Sequence, residues 1–254
     1  MTNSDKFRNE WNQIEKYLCN NAGIDIDGDE KDESRRNTVH NAIKKLETKA
    51  RFGILRDQSM RRELSTMKAL RNLIVHNEHL AEPSDETVST ITRIRELITH
   101  PPMAIHVAIK PPQLITAELH DPIAEYLKVM NDLSITNIPV VNNQKIIGIF
   151  SERSVVIWAN HSSQENDGSI LLTEKTFAEI KDFLDKPTGD EEYLQYKYCS
   201  RKTDLYYVRN LFSEAINQNQ RLAAVFITQD GTPNSRIEGI ITAWDIYKDT
   251  DAAL

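Results

Sequence analysis

Cysteine is nearly absent from this chain: two residues in 254, Cys19 and Cys199. They lie far apart without metal-ligand spacing, which excludes a disulfide framework and a cysteine zinc centre and predicts a reducing, cytoplasmic setting. Long apolar runs are missing as well. No stretch approaches the ~20 residues of a membrane helix, so no membrane partner is expected. The opening residues, Met1-Thr2-Asn3-Ser4-Asp5-Lys6, lack the charged-then-apolar layout of a secretory signal. No constellation for a metabolic enzyme is found. Metal is not expected either. The acidic run from Asp25 to Glu33 resembles a calcium loop only at first sight, because its sixth position holds Glu30 and its twelfth Arg36 where glycine and glutamate are required. His76 and His79, three apart, have no carboxylate or cysteine pattern around them.

What is present is charge, unevenly spread. An apolar content of 39% with 27% charged residues is that of a soluble globular protein. Residues 1–100 carry 17 Lys and Arg against 17 Asp and Glu, while residues 101–254 carry 14 against 21. Within 35–76 there are 11 basic residues and three acidic ones, the only segment with the charge expected of a nucleic-acid surface.

The first hundred residues show helical periodicity throughout. Phe7, Trp11, Ile14 and Leu18 make one stripe, and Val39, Ile43 and Leu46 a second. Leu64, Met67, Leu70, Leu73 and Ile74 make a third, and Val88, Ile91, Ile94 and Leu97 a fourth with Ser84 or Asp85 as its cap. Pro101-Pro102 end this four-helix bundle, and Met103 to Lys110 form a strand or a linker before Pro111-Pro112.

Beyond residue 110 the chain repeats itself. Gly148-Ile149-Phe150-Ser151-Glu152-Arg153-Ser154 and Gly239-Ile240-Ile241-Thr242-Ala243-Trp244-Asp245 each follow a β-type run and a polar turn, and each precedes an apolar helix start. Upstream, Ile123, Tyr126, Leu127 and Met130 form one helical stripe, and Leu205, Val208, Leu211 and Phe212 another. Asp121 and Thr203 are expected as their N-caps, with Pro122 in the first helical position. Each copy therefore reads β-α-β-β-α. Between the copies, His161 to Asp167 is expected as a loop and Thr173 to Leu184 as a helix, with Tyr193 to Tyr198 as the entering strand.

The two copies resemble a tandem pair of CBS domains, also called a Bateman module, carried by Asn137-Ile138-Pro139-Val140-Val141 and by the two Gly-Ile phrases. The resemblance implies a small-molecule ligand, an adenosine nucleotide (AMP, ADP, ATP or a related compound), in clefts between the repeats. The residues agree with that chemistry. Thr242 can donate to a phosphate at a strand-to-helix junction, and the acceptor-only carboxylate of Asp245 suits ribose hydroxyls. The same two residues also suit an ordinary helix cap. In the first copy Ser151 and Ser154 stand at these positions, so the carboxylate is missing and one competent site is expected. Arg221, just before the strand from Ala223 to Thr228, is either a phosphate contact or a solvated charge.

The run Leu70-Arg71-Asn72-Leu73-Ile74-Val75-His76-Asn77 resembles the Arg-x4-6-His signature of HEPN domains, helical units that dimerise and are often metal-independent endoribonucleases. The resemblance implies RNA as partner, a homodimer, and catalysis by Arg71, Asn72 and His76. His76 could move a proton near neutral pH and Arg71 could stabilise growing phosphate charge. Positions five apart lie about 140° apart around a helix, so a cleft shared between two protomers or a local unwinding is required. The alternative is a non-enzymatic nucleotide-binding regulator or adaptor whose helical domain mediates dimerisation. The expected architecture is α+β: a helical HEPN-like domain over 1–102, CBS repeats over 103–160 and 193–254, and an insert over 161–192.

Overall fold

The computed structural model describes residues 1–25, 38–76, 82–165, 174–186 and 194–247. The acidic run beyond Asp25, His79 and the side chain of His76 lie outside the described residues. The chain divides into two compact units. One comprises Met1–Ala104 with Lys202–Asn210, the other Ile105–Arg201 with Leu211–Leu254.

The first unit is helical: α1 (Asn3–Ala22), α2 (Thr38–Leu46), α3 (Gln58–His76) and α4 (Asp85–Thr99), with a 3₁₀ turn at Gly53–Arg56. A capping box of Thr2 and Asp5 opens α1, and Gly23, at φ 65, ends it in the left-handed region that glycine tolerates. Ser84 caps α4 by accepting from the Thr87 N–H. The predicted stripes form the core: Phe7, Trp11, Ile14, Leu18, Val39, Leu46, Leu64, Met67, Ile74, Ile91 and Ile94 are buried. Leu73 departs from expectation and is 53% exposed. It lies about 120° from Met67 around the helix, off the inward face that Ile74 completes.

The segment Lys202–Asn210 is tied into this unit by a buried carboxylate. Asp204 accepts from the backbone N–H of Gly53 and of Tyr207, each at 2.6 Å, and its own N–H donates to the Ala50 carbonyl at 3.0 Å. Asp204, not Thr203, is therefore the residue that caps the following helix; Thr203 is buried with its hydroxyl unsatisfied. Gly53 is required here, since a Cβ would lie 2.2 Å from the Tyr207 nitrogen.

The second unit holds the first repeat and the second apart from Lys202–Asn210. A one-turn helix, α5 (Ala104–Val107), stands where a strand or linker was expected. The first repeat then runs β1 (Ala117–Glu118), α6 (Ile123–Leu133), β2 (Asn137–Asn142), β3 (Lys145–Ser151), α7 (Glu152–Glu165). The second runs β4 (Leu194–Ser200), α8 (Leu205–Asn217), β5 (Arg221–Thr228), β6 (Ile237–Ile241), α9 (Ala243–Tyr247). The β-α-β-β-α order is thus written twice. Each sheet has three strands in sequence order, the first pair parallel and the second antiparallel. Asn143 and Gln144, both at positive φ, make the two-residue turn between β2 and β3, the twist such hairpins favour. The predicted stripes again face inward: Ile123 and Met130 on α6, Leu205, Val208 and Phe212 on α8. Pro122 takes the N-cap position of α6 rather than the first helical one, and Asp121 accepts from the Glu118 N–H and the Tyr126 hydroxyl instead of capping.

The insert differs from expectation at both ends. Helix α7 continues to Glu165 through residues read as a loop, with the His161 ring against Phe183 and Ser162 buried. Glu174 to Leu184 is turns and a 3₁₀ turn (Lys181–Phe183), not an α-helix. Its backbone is committed elsewhere. The Ile123 N–H donates to Lys175, those of Phe177 and Ala178 donate to Asp121 and Leu119, and Asp185 bridges Ile149. Phe177, Ile180 and Leu184 are still buried, so the apolar pattern reported burial and not the element. Among the described residues no helix is long and apolar enough to cross a membrane.

Burial pushes the Asp204 carboxyl up to about 6 from 3.8, against the pull of the N–H groups of Tyr207, Gly53, Ile54 and Tyr206. Between these values the folded chain holds a proton that the unfolded chain has released, so stability falls as pH rises through this window. Relative to Asp204→Asn, the wild type should lose about 2 kcal/mol of unfolding free energy between pH 4.5 and 7. Urea unfolding at several pH values checks this; parallel profiles would refute it.

Candidate functional site

Both repeats place a hydroxyl residue where an antiparallel strand turns into a helix, and the two junctions are satisfied differently. In the second repeat β6 ends at Ile241 and α9 begins at Ala243. Thr242 donates to Asp245 Oδ2 twice, from its N–H at 2.8 Å and from its hydroxyl at 2.7 Å. Asp245 is 5% exposed. The carboxylate thus closes the first turn of its own helix, and the cap that these residues suit is formed. The same bonds hold Thr242 and Asp245 together at one strand end.

In the first repeat Ser151 and Ser154 complete the cap between them. The Ser154 N–H donates to Ser151 Oγ at 3.3 Å and the Ser151 N–H to Ser154 Oγ at 3.2 Å. The carboxylate missing from the local sequence arrives from the insert. Ser151 Oγ donates to Asp185 Oδ2 at 2.5 Å, and Arg153 Nη1 to Asp185 Oδ1 at 3.0 Å. The Tyr196 hydroxyl lies 3.2 Å from the same Oδ2 and 3.0 Å from Asn137 Oδ1. Asp185 is 4% exposed. Burial pushes the Tyr196 phenol far up, Asp185 adds to the rise, and the positive charge of Arg221 opposes it. Arg221 itself is exposed at the start of β5. Its charge is therefore felt at the Tyr196 phenol.

Asp185 is the residue that sequence reasoning misses. It stands 34 positions from Ser151, one residue past a segment of helical periodicity. No local pattern marks it. Only the antiparallel bridge between Asp185 and Ile149 carries it to the junction.

In the helical unit, Arg71 Nη1 donates to the neighbouring Asn72 Oδ1 at 3.4 Å, with Asn72 exposed. His76 is the last residue of α3, and the Ile74 carbonyl beside it accepts from Arg8 Nη2 at 3.2 Å. The structure brings Arg71 and Asn72 together, and the His76 imidazole lies outside the described residues. The basic segment is organised elsewhere too. A cavity of about 300 Å³ has Trp11, Val39, Ile43 and Leu64 among its apolar walls, with His40, Lys44, Arg61 and Lys68 also lining it.

A comparison with curated protein sequences finds no match. Several solved structures are similar. Protein MJ1225 of Methanocaldococcus jannaschii is 17% identical, with 57% of this chain and 46% of that one covered and a TM-score of 0.41. CBSX2, solved in complex with AMP, is 12% identical over 59% of this chain and 97% of that one, at a TM-score of 0.42. The CBS domain pair of protein MJ0100, in complex with 5′-methylthioadenosine and S-adenosyl-L-methionine, is 19% identical over 60% and 98%, at a TM-score of 0.37. The match thus takes in less than half of the length of MJ1225. Against family models, residues 94–160 match the CBS domain, a span that takes in β1, α6, β2, β3 and the start of α7.

Proposed function

We propose that this chain is a regulatory protein whose repeat pair binds an adenosine nucleotide, with the helical unit as its RNA-acting output. The observation that carries the sensor is the Thr242–Asp245 pair, a hydroxyl donor and a buried carboxylate held at one strand-to-helix junction. A ribose offers two hydroxyl donors to such a carboxylate, and a phosphate accepting from the Thr242 hydroxyl would take the proton that it now gives to Asp245. Regulation requires that the two states of the helical unit differ in nucleotide affinity. The chain supplies a physical link, since Lys202–Asn210, which leads from β4 into α8 of the second repeat, is part of the helical unit. Titration calorimetry with AMP, ADP, ATP and S-adenosylmethionine should show one molecule bound per chain. Asp245→Ala should weaken that binding by about tenfold or more, the worth of hydrogen bonds to a charged group. No heat with any of the four removes the sensor.

For the output, support comes from the basic segment and the exposed Arg71–Asn72 pair, to which His76 would add a proton-transfer group. Incubation with RNA, with and without nucleotide, should give cleavage that His76→Ala and Arg71→Ala abolish. RNA left equally intact by wild type and variants removes the nuclease reading.

A homodimer is part of the proposal, because a cleft shared between two protomers is one of the two ways, with local unwinding, to bring Arg71 and His76 to one phosphate. In the second unit Leu133, Val156, Ile216 and Trp244 are exposed apolar side chains on its helices, which a second copy would cover. Light scattering should give twice the chain mass, reduced to the monomer mass in Val156→Asp/Trp244→Asp. A monomeric wild type refutes the dimer.

A further inference from the structure

A buried carboxylate surrounded by donors is an anion site that is already filled. Around Asp185 the donors come from three elements: the Ser151 hydroxyl at the end of β3, the Arg153 guanidinium on α7 and the Tyr196 phenol on β4. The acceptor comes from none of them. The insert brings it in, and the backbone is shaped for the delivery. Asp185 and Ile149 exchange N–H···O bonds of 3.0 and 2.9 Å. Beside them Leu184 packs on Gly148 so closely that a Cβ there would lie 2.7 Å from the Leu184 Cβ.

The second repeat has the same arrangement without the charge. Ile109 bridges Ile240 by bonds of 2.9 and 3.0 Å, and Ala108 approaches Gly239 to 3.0 Å of where a Cβ would stand. The position that Asp185 takes on the first repeat is therefore held by an isoleucine on the second. There the carboxylate belongs to Asp245, on the helix itself.

We infer that Asp185 is the chain's own occupant of the anion position of the first repeat, standing where a phosphoryl group would accept from Ser151, Arg153 and Tyr196. It limits the chain to one adenosine phosphate instead of two. The inference rests on the repeat pair being nucleotide-binding, but it concerns the other repeat from the one that holds Thr242. A tethered carboxylate needs no association entropy to stay in place. A phosphate arriving beside it meets like charge in a poorly solvated site. A free ligand must therefore expel Asp185 from donors that it satisfies.

Inorganic phosphate and AMP serve as probes on the full chain. Asp185→Ala removes the acceptor from Ser151 and Arg153, while the Tyr196 hydroxyl keeps Asn137 Oδ1 at 3.0 Å, so this variant should be less stable than wild type and should be rescued by phosphate. Its unfolding midpoint should rise by about 3–5 °C at saturating phosphate, with no comparable rise in chloride of equal ionic strength. Wild type and Asp185→Asn, whose side-chain carbonyl still fills the position, should move far less. AMP stoichiometry should be one per wild-type chain and two per Asp185→Ala chain. If that variant does not fold, Asp185→Ser carries the same two measurements. Two AMP bound per wild-type chain overturns the inference, as does a variant that responds to phosphate and AMP no differently from wild type. Wild type binding none while the variant gains one would remove the Thr242–Asp245 site and leave this inference standing.

Discussion

The open edge of each three-stranded sheet is the constraint on which the second unit depends. A strand at the end of a sheet presents unpaired N–H and C=O groups, and buried backbone polar groups must be paired. β3 and β6 are the end strands on one side of their sheets, β1 and β4 those on the other. β3 and β6 each take an antiparallel bridge from a segment outside their repeat, Asp185 on Ile149 and Ile109 on Ile240, and Lys145 at the start of β3 also bridges Arg236 beside β6. The segment that leads into the first repeat thus pairs with the second, and the segment that leads into the second pairs with the first. The glycines of the two Gly-Ile phrases lie beside these bridges, where Leu184 comes too close to Gly148 for a side chain and Ala108 leaves a tight fit at Gly239.

This exchange explains why two copies of one pattern differ in chemistry. The second repeat carries its carboxylate three residues after its hydroxyl, within reach on the first helical turn. The first repeat has serine at that position, and its hydroxyl is satisfied by a carboxylate that the exchanged segment supplies. Both junctions end with a buried Asp accepting from a hydroxyl, and one is built locally while the other depends on chain crossing. A buried carboxylate without donors would be costly. Asp185 has a hydroxyl, a guanidinium and a phenol, and Asp245 has the N–H and hydroxyl of Thr242.

Asp204 applies the same physics in the helical unit. It caps α8 and at the same time accepts from the backbone of the 3₁₀ turn at Gly53, so a residue of the second repeat completes a turn of the N-terminal helices. The bond from the Gly53 N–H to Asp204 is short and buried, and the Asn210 side chain adds a second by donating to the Gly53 carbonyl.

The sequence by itself determined the periodic features. Apolar spacing of three and four placed α1, α3, α4, α6 and α8, and the paired strand-turn-strand phrases placed β2, β3, β5 and β6, because these elements bury a face whose period is written in consecutive residues. Thr242 with Asp245 was legible for the same reason, three positions on one turn. The tertiary structure decided what depends on partners distant along the chain. Phe177, Ile180 and Leu184 have helical spacing, yet hydrogen bonds to Asp121, Leu119 and Ile149 hold their segment in turns. Asp204 displaced Thr203 as a cap because Gly53, 151 positions away, offers it a second N–H. Asp185 reached Ser151 across 34 positions, by a backbone bridge that no side-chain pattern encodes.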